Sequence, residues 1–271
     1  MSFMLKLDKT KILRVIIETL ASIVSEAKFK VTPEGLTILA FDDSRICLLQ
    51  LEFKAEDFDS FSCDKKLDID LNISDLDKIL KRSTLNDSLE IAFKEEDSKI
   101  KIKLQRKTEG EKKVMRTFSL ALSENEIEDL QLDRLYEIDY NTNWEIDPAF
   151  LVEAIKDAEI YSEVLNLNAT EGEGLLFSSI GTIGEMEYSL DLEDLHSSNI
   201  NETSMGSYSI DFLKSIMKIS SIAMNLEMGL KSEYPLKIIF KLENDCELSL
   251  FLAPRVEHEE DEDDDVFNED F

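Results

Sequence analysis

The chain repeats one pattern four times: an amphipathic helix followed by short strands. The first helix is carried by residues 9–27, KTKILRVIIETLASIVSEA. Leu13, Ile16, Ile17, Leu20, Ile23, Val24 and Ala27 recur there three and four residues apart, the apolar stripe of a helix laid on a core. Lys11, Arg14, Glu18, Ser22 and Ser25 form the opposite stripe. Helices of the same kind are predicted from Ser74, Asp147 and Ser209, so the four starts lie 65, 73 and 62 residues apart. Units of that size bury their apolar faces only against their neighbours.

Asp8, Ser74, Asp147 and Ser209 supply N-cap residues, and Pro148 stands where a first-turn proline is favoured. Strands are predicted at 29–31, 35–41, 45–53 and 66–71, then at 88–94, 99–104 and 114–122, with a polar hairpin loop at 106–113. The second half gives 164–169, 174–179, 186–191, 225–231, 235–242 and 247–252, with a polar loop at 196–202. Glu34-Gly35-Leu36 after the first helix matches Glu173-Gly174-Leu175 after the third, and LEIAFKEE from Leu89 matches LEMGLKSE from Leu226. The chain therefore reads as a duplicated domain: residues 1–122, a connector at 123–140, and residues 141–256. An acidic tail at 257–271 is too charged and too poor in apolar residues to fold alone. Strands outnumber helices and the helices share one face of the sheets, an α+β architecture. The strands at 114–122 and 174–179 are expected as sheet edges that pair head to tail with other copies and close a ring.

Charge narrows the function. The 271 residues carry a net charge of -29, a field that repels phosphate. Ten of the carboxylates lie in 257–271, which has no Lys or Arg. Yet each helix carries cations on its polar stripe: Lys11 and Arg14, then Lys78, Lys81 and Arg82, then Lys156, then Lys214 and Lys218. On one helix that is an ordinary solvated face. On four helices related by rotation, all eight fall on one side, and the matching ligand is a polyanion held through phosphates without base reading. No aromatic residues interleave them, so stacking of single strands is not expected. No run of 18 apolar residues exists to cross a membrane as a helix. Cys47, Cys63 and Cys246 are odd in number and unpaired in spacing, as in a reducing compartment, and His196 and His258 suggest no metal site. Glycine-rich phosphate loops and nucleophile motifs are missing, so neither catalysis nor a cofactor is expected.

Four segments carry a resemblance: SEAKFKVTPEGLTILAFDDSR from Ser25, LDKILKR from Leu76, YPLKIIF from Tyr234 and FLAPRVE from Phe251. In this order the chain resembles, over essentially its whole length, the DNA sliding clamps of the proliferating cell nuclear antigen family. The resemblance implies a DNA-clamp fold: a trimeric ring with helices lining the hole, sheets outside and duplex DNA passing through. It implies partners that dock short peptide motifs beside the connector, namely DNA polymerase, clamp loader, flap endonuclease and DNA ligase. By position, that pocket is Phe41, Leu48, Leu130, Leu132, Pro235, Phe251, Ala253 and Pro254. Such a clamp works in the cytoplasm of an archaeon, the favoured source, or the nucleus of a eukaryote. A checkpoint-type or heterotrimeric clamp subunit is the near alternative. An acidic chaperone for basic proteins, using the tail and ignoring the helices, is the alternative of another class.

Overall fold

The computed structural model describes residues 2–84, 86–107, 112–123, 132–243 and 246–255. The tip of the 106–113 loop, Leu130 and the 257–271 tail lie outside the described residues. The helices are α1 (Lys11–Leu20), α2 (Ile73–Leu80), α3 (Asp133–Tyr136), α4 (Pro148–Ala158) and α5 (Ile210–Ile216), the last continued by a 3-10 segment at Met217–Ser221. The first half has nine strands: β1 (Ser2–Leu7), β2 (Glu26–Thr32), β3 (Gly35–Phe41), β4 (Cys47–Lys54), β5 (Ser60–Cys63), β6 (Leu67–Asn72), β7 (Ser88–Lys94), β8 (Lys99–Lys107) and β9 (Lys113–Ala121). The second half repeats them: β10 (Thr142–Ile146), β11 (Val164–Thr170), β12 (Gly174–Gly181), β13 (Gly184–Asp191), β14 (Ser197–Ile200), β15 (Ser204–Ser209), β16 (Asn225–Leu230), β17 (Leu236–Lys241) and β18 (Glu247–Leu252).

Strand order makes the duplication explicit. The first half builds β5-β1-β7-β8-β9 and β6-β2-β3-β4; the second builds β14-β10-β16-β17-β18 and β15-β11-β12-β13. β4 of the first half pairs antiparallel with β18 of the second, from Cys47↔Leu252 to Glu52↔Glu247. Two sheets thereby fuse into one of nine strands. The equivalents of this joint, β9 and β13, are left as outer edges. The matched glycines explain one repeat signal physically. A Cβ on Gly35 would sit 2.0 Å from the Phe53 carbonyl oxygen, and one on Gly174 would sit 2.3 Å from that of Leu190.

All four predicted helices are present, with corrected ends. α1 stops at Leu20, and Glu26 already belongs to β2. Val24 and Ala27 are buried, but not as helix. Their spacing fits either structure, and periodicity alone could not separate them. Thr10, not Asp8, occupies the α1 N-cap position. For α2 the cap is Asn72, whose Oδ1 accepts from the Asp75 N–H at 2.9 Å, rather than Ser74. Asp147 and Pro148 behave as expected: the Asp147 Oδ1 accepts from Ala149 N–H at 2.8 Å. Ser209 holds the α5 N-cap position without a side-chain bond. Leu13, Ile16, Ile17 and Leu20 are all buried, each worth roughly 1.5–3 kcal/mol.

Five strands went unread in the sequence: β1, β5, β10, β14 and β15. β14 and β15 are serine-rich and take their conformation from β10 and β11 beside them, against local propensity. The loop expected at 196–202 thus contains a strand. The edge expected at 174–179 is also corrected. β12 is paired on both sides, by β11 and β13, and the free edge is β13. The edge expected at 114–122 is β9, as read. The connector, expected to be extended, contains the helical turn α3.

Candidate nucleic-acid and peptide interfaces

The helices form one layer. α1 packs on α2, α4 packs on α5, and α1 also meets α5 and the 3-10 segment. Their apolar stripes lie on the sheets, so their polar stripes share one side. All eight predicted cations are on these helices or in the residues that end them.

They are not equivalent. Lys78 Nζ lies 2.8 Å from Asp75, and Lys81 Nζ lies 2.8 Å from Asp77 and 3.7 Å from Glu18. The hydrogen bond to Asp77, with the charges of Asp77 and Glu18 behind it, holds the Lys81 ammonium above the ordinary lysine value. Lys214 pairs with Glu159. Arg14 reaches the Ser83 carbonyl at 3.5 Å. Lys11, Arg82, Lys156 and Lys218 are exposed. On α1 and α2, five cations stand against Glu18, Asp75 and Asp77. On α4 and α5 with its extension, three stand against Glu153, Asp157, Glu159 and Asp211. The layer is positive over the first half and slightly negative over the second.

Behind Arg82 lies a feature missed in the sequence. Asp87 is fully buried, and its Oδ2 accepts from Thr84 N at 2.6 Å, Thr84 Oγ1 at 2.8 Å and Arg116 Nη2 at 2.7 Å. Arg116 Nη1 donates to the Arg82 carbonyl at 2.7 Å. Burial alone would push the Asp87 carboxyl up, but the Thr84 and Arg116 bonds outweigh it and hold the carboxyl below its usual range. An arginine on the β9 edge thus fixes the end of α2.

The second site lies on the far face of the nine-stranded sheet. Phe41 pairs with Leu48, Leu48 with Phe251 and Phe251 with Lys237, one row across β3, β4, β18 and β17. Leu48 and Phe251 are buried; Phe41, Leu132, Pro235, Ala253 and Pro254 are half-buried. Seven of the eight predicted pocket residues are described, and the sheet pairings bring the strand residues together. Tyr136 on α3 stands edge-on over Phe251, ring centroids 6.0 Å apart at 83°. Burial, then the charge of Glu52, pushes its phenol up to about 12. Tyr140 donates to the Pro235 carbonyl at 2.8 Å, and Lys237 Nζ sits 5.9 Å from the Tyr140 ring centroid. The turn between β3 and β4 folds around Asp42, whose carboxylate accepts from the N–H groups of Ser44, Ile46 and Cys47 at 2.9, 2.8 and 2.7 Å. Arg45 takes a positive φ of 57° there, and Ile46 is left exposed, its carbonyl bonded to Ala253 N–H at 2.8 Å.

The family model for the N-terminal domain of proliferating cell nuclear antigen matches residues 2–129. A DNA polymerase sliding clamp of Methanothermobacter thermautotrophicus is 31% identical over 259 residues, 95% of this chain and 100% of that protein. One from Thermococcus sibiricus is 32% identical over 259 residues, again 95% and 100%, and one from Nitrosopumilus maritimus is 27% identical over 260. The chain belongs to the proliferating cell nuclear antigen family. The FLAPRVE segment led the expectation to Phe251, Ala253 and Pro254 but not to the neighbouring Tyr136, Ile46 or Asp42. Tyr136 was legible only as one apolar residue in an acidic stretch. Asp42 carries the acceptor-before-turn signal of an Asx turn, readable in DDSR. Among the described residues, no group of three His, Cys, Asp or Glu could hold a metal ion.

Proposed function

We propose that three copies of this chain close into a ring, that duplex DNA passes along the helical layer, and that partner proteins tether through peptides held beside Tyr136. The observation that carries the ring is the pair of edges left over from the duplication. β9 and β13 correspond to β18 and β4, which already form a joint of the required geometry inside the chain. Carrying the register across pairs Thr117 with Glu187 and Phe118 with Met186 of a second copy. Charge agrees. β9 bears Lys113 beside a lysine-rich β8, with Arg116 already paired to Asp87; β13 bears Glu185, Glu187 and Asp191. Complementary edges favour the head-to-tail contact and disfavour contacts of like edges.

In this reading residues 1–122 and 141–256 are the two clamp domains, 123–140 the connector and 257–271 a tail. The ring is a processivity clamp for polymerase, clamp loader, flap endonuclease and ligase, working in the archaeal cytoplasm as befits its archaeal relatives. Weak phosphate contacts suffice, because a closed ring must open before it can leave DNA. That suits a helical layer with so modest an excess of positive charge.

Native mass of the purified 31.1 kDa chain tests assembly. Three copies per particle are expected, and a monomer at micromolar concentration overturns the homotrimer. Cysteines placed at Thr117 and Glu187 are expected to oxidise into an intersubunit ladder that ends in a closed species. Reversal of Lys78, Lys81 and Lys218 to Glu is expected to shorten retention on circular duplex DNA and to flatten its salt dependence. Unchanged retention at low salt would refute the helical layer as the DNA-facing surface.

A further inference from the structure

The two halves share a backbone, so places where their residues part company mark what one half does alone. Tyr208 pairs with Leu165 as Leu71 pairs with Ala27, and Gly206 pairs with Leu167 as Ile69 pairs with Phe29. In the other pair of sheets, Gly229 pairs with Asn143 as Ala92 pairs with Met4. The second half therefore carries Gly206, Tyr208 and Gly229 where the first carries Ile69, Leu71 and Ala92. Ile69 and Leu71 are ordinary buried core.

The two glycines seat tyrosine rings. A Cβ on Gly206 would lie 2.4 Å from the Tyr208 hydroxyl oxygen, and one on Gly229 would lie 2.9 Å from the Tyr140 ring, both too close without movement. Seated there, both phenols reach one short segment, the link from β16 to β17. Tyr140 donates to the Pro235 carbonyl at 2.8 Å, and the Tyr208 hydroxyl lies 3.5 Å from the preceding carbonyl, that of Tyr234. Burial pushes both phenols up, so each keeps its proton at neutral pH and remains a donor. The link needs holding. Glu233 sits at a positive φ of 69°, a left-handed conformation unfavourable for a residue with a side chain. Ser232 Oγ accepts from Met205 N–H at 3.1 Å and adds a further tie. Between Gly206 and Tyr208, the Ser207 carbonyl accepts from Arg255 N–H at 2.8 Å, which fastens the segment carrying Ala253 and Pro254 to the same strand. Pro235, Ala253 and Pro254, three walls of the peptide pocket, are thus fixed through one group of residues.

We propose that Tyr140 and Tyr208 are positioning residues of the peptide site, holding the Tyr234–Pro235 backbone so that this wall is set before a peptide arrives. The proposal deepens the peptide-tether reading and rests on it. A wall free to wander leaves only a fraction of molecules competent, and apparent affinity falls by that fraction through the association rate. A residue that grips the peptide acts chiefly through dissociation instead.

Stopped-flow binding on the full-length protein tests this. Peptides are selected from a random library of short sequences, and those whose binding Phe251→Ala abolishes are labelled as probes. Tyr140→Phe is expected to slow association about fivefold and to change dissociation less than about twofold. Tyr208→Phe, whose contact is longer, is expected to slow association less. Gly229→Ala, which drives a methyl group into the Tyr140 ring, is expected to act at least as strongly as Tyr140→Phe. Unchanged association, or a loss lying wholly in dissociation, would overturn the positioning role and leave the peptide site standing. If no selected peptide responds to Phe251→Ala, the peptide site falls and the positioning role with it. Hydrogen exchange gives a second readout. Residues 230–236 are expected to exchange faster in free Tyr140→Phe than in free wild type, and equally once peptide is bound. Equal exchange in the two free proteins would overturn the positioning role.

Discussion

The β4–β18 joint and the β9 and β13 edges are one structure used twice, and they differ in what covers them. At the joint, the row Phe41–Leu48–Phe251 is apolar on the outer face, and Leu49 and Leu250 are buried on the helix side. At the equivalent positions along the edges stand Ile180, Glu185 and Ser119 outside, Met186 and Phe118 inside. Ile180 and Ile183, the counterparts of Phe41 and Ile46, are 67% and 72% exposed. Inside the chain the joint is permanent and can be sealed with apolar side chains. In the proposed ring the same contact would lie between chains and have to open, and there charge stands in place of much of the grease. The difference also explains why one peptide pocket per chain is expected rather than two: only one row is apolar across its full width.

The comparison is broken most sharply by truncation of matched core residues. Leu250→Ala is expected to destabilise the monomer fold by about 4 kcal/mol in a denaturant melt. Its counterpart Phe118→Ala, half-exposed in the single chain, is expected to cost the monomer about 1 kcal/mol or less while abolishing assembly at micromolar concentration. Similar losses at both sites would mean that the edge is already sealed within one chain.

Next in size is Asp87→Ala, which leaves Arg116 unpaired behind the β9 edge. A loss of about 3 kcal/mol is expected, the lower end for breaking a buried pair because Arg116 keeps 29% of its side-chain surface exposed. The pair also has a pH signature. The Asp87 carboxyl is depressed in the fold, so its contribution is present above the unfolded carboxylate value and is lost as pH falls through the lower folded value. Wild type should therefore lose stability below about pH 4 more steeply than Asp87→Asn. Parallel acid melts of the two would refute that role.

Smaller still, Glu185→Lys with Glu187→Lys is expected to weaken ring assembly about tenfold at low salt and much less at high salt, read by dilution in native mass. The least effect concerns the helices. Lys11→Glu with Arg82→Glu should lower the salt slope of DNA retention by about two phosphate contacts, whereas Lys78→Gln with Lys81→Gln, already paired with Asp75 and Asp77, should lower it less.

Much of this was legible in the chain. The four helix stripes and the Gly35 and Gly174 signals follow from period and backbone geometry, which are local. Pro148 and Asp147 marked α4 because capping is local too. What failed was set by distant partners. β14 and β15 are polar strands that exist because β10 and β11 offer them ladders. β1 alternates legibly in SFMLKL, but six residues at a chain end carry too little pattern to stand alone. Asn72 displaced Ser74 as a cap because strand β6 runs directly into α2, so the helix begins two residues earlier than the serine suggests. At the candidate interfaces the cations were readable, as were the local partners Asp75 and Asp77, but not Glu18, which reaches Lys81 from another helix, or Glu159, which reaches Lys214 across the layer.

The fused nine-stranded sheet has a consequence for synthesis. Gln50 pairs with Ser249, so the strand that completes the joint is made 199 residues after the one it completes. At about 5–20 residues per second, the first half waits roughly 10–40 seconds on the ribosome with β4 bare. During that interval the nascent chain offers an apolar edge, Cys47 to Phe53, that any other β18 could fill. A chain emerging beside a finished but dissociated relative is thus exposed to exchange of its last strand. The steep sequence separation makes the joint the slowest contact to form and, in a crowded polysome, the easiest to form with the wrong molecule.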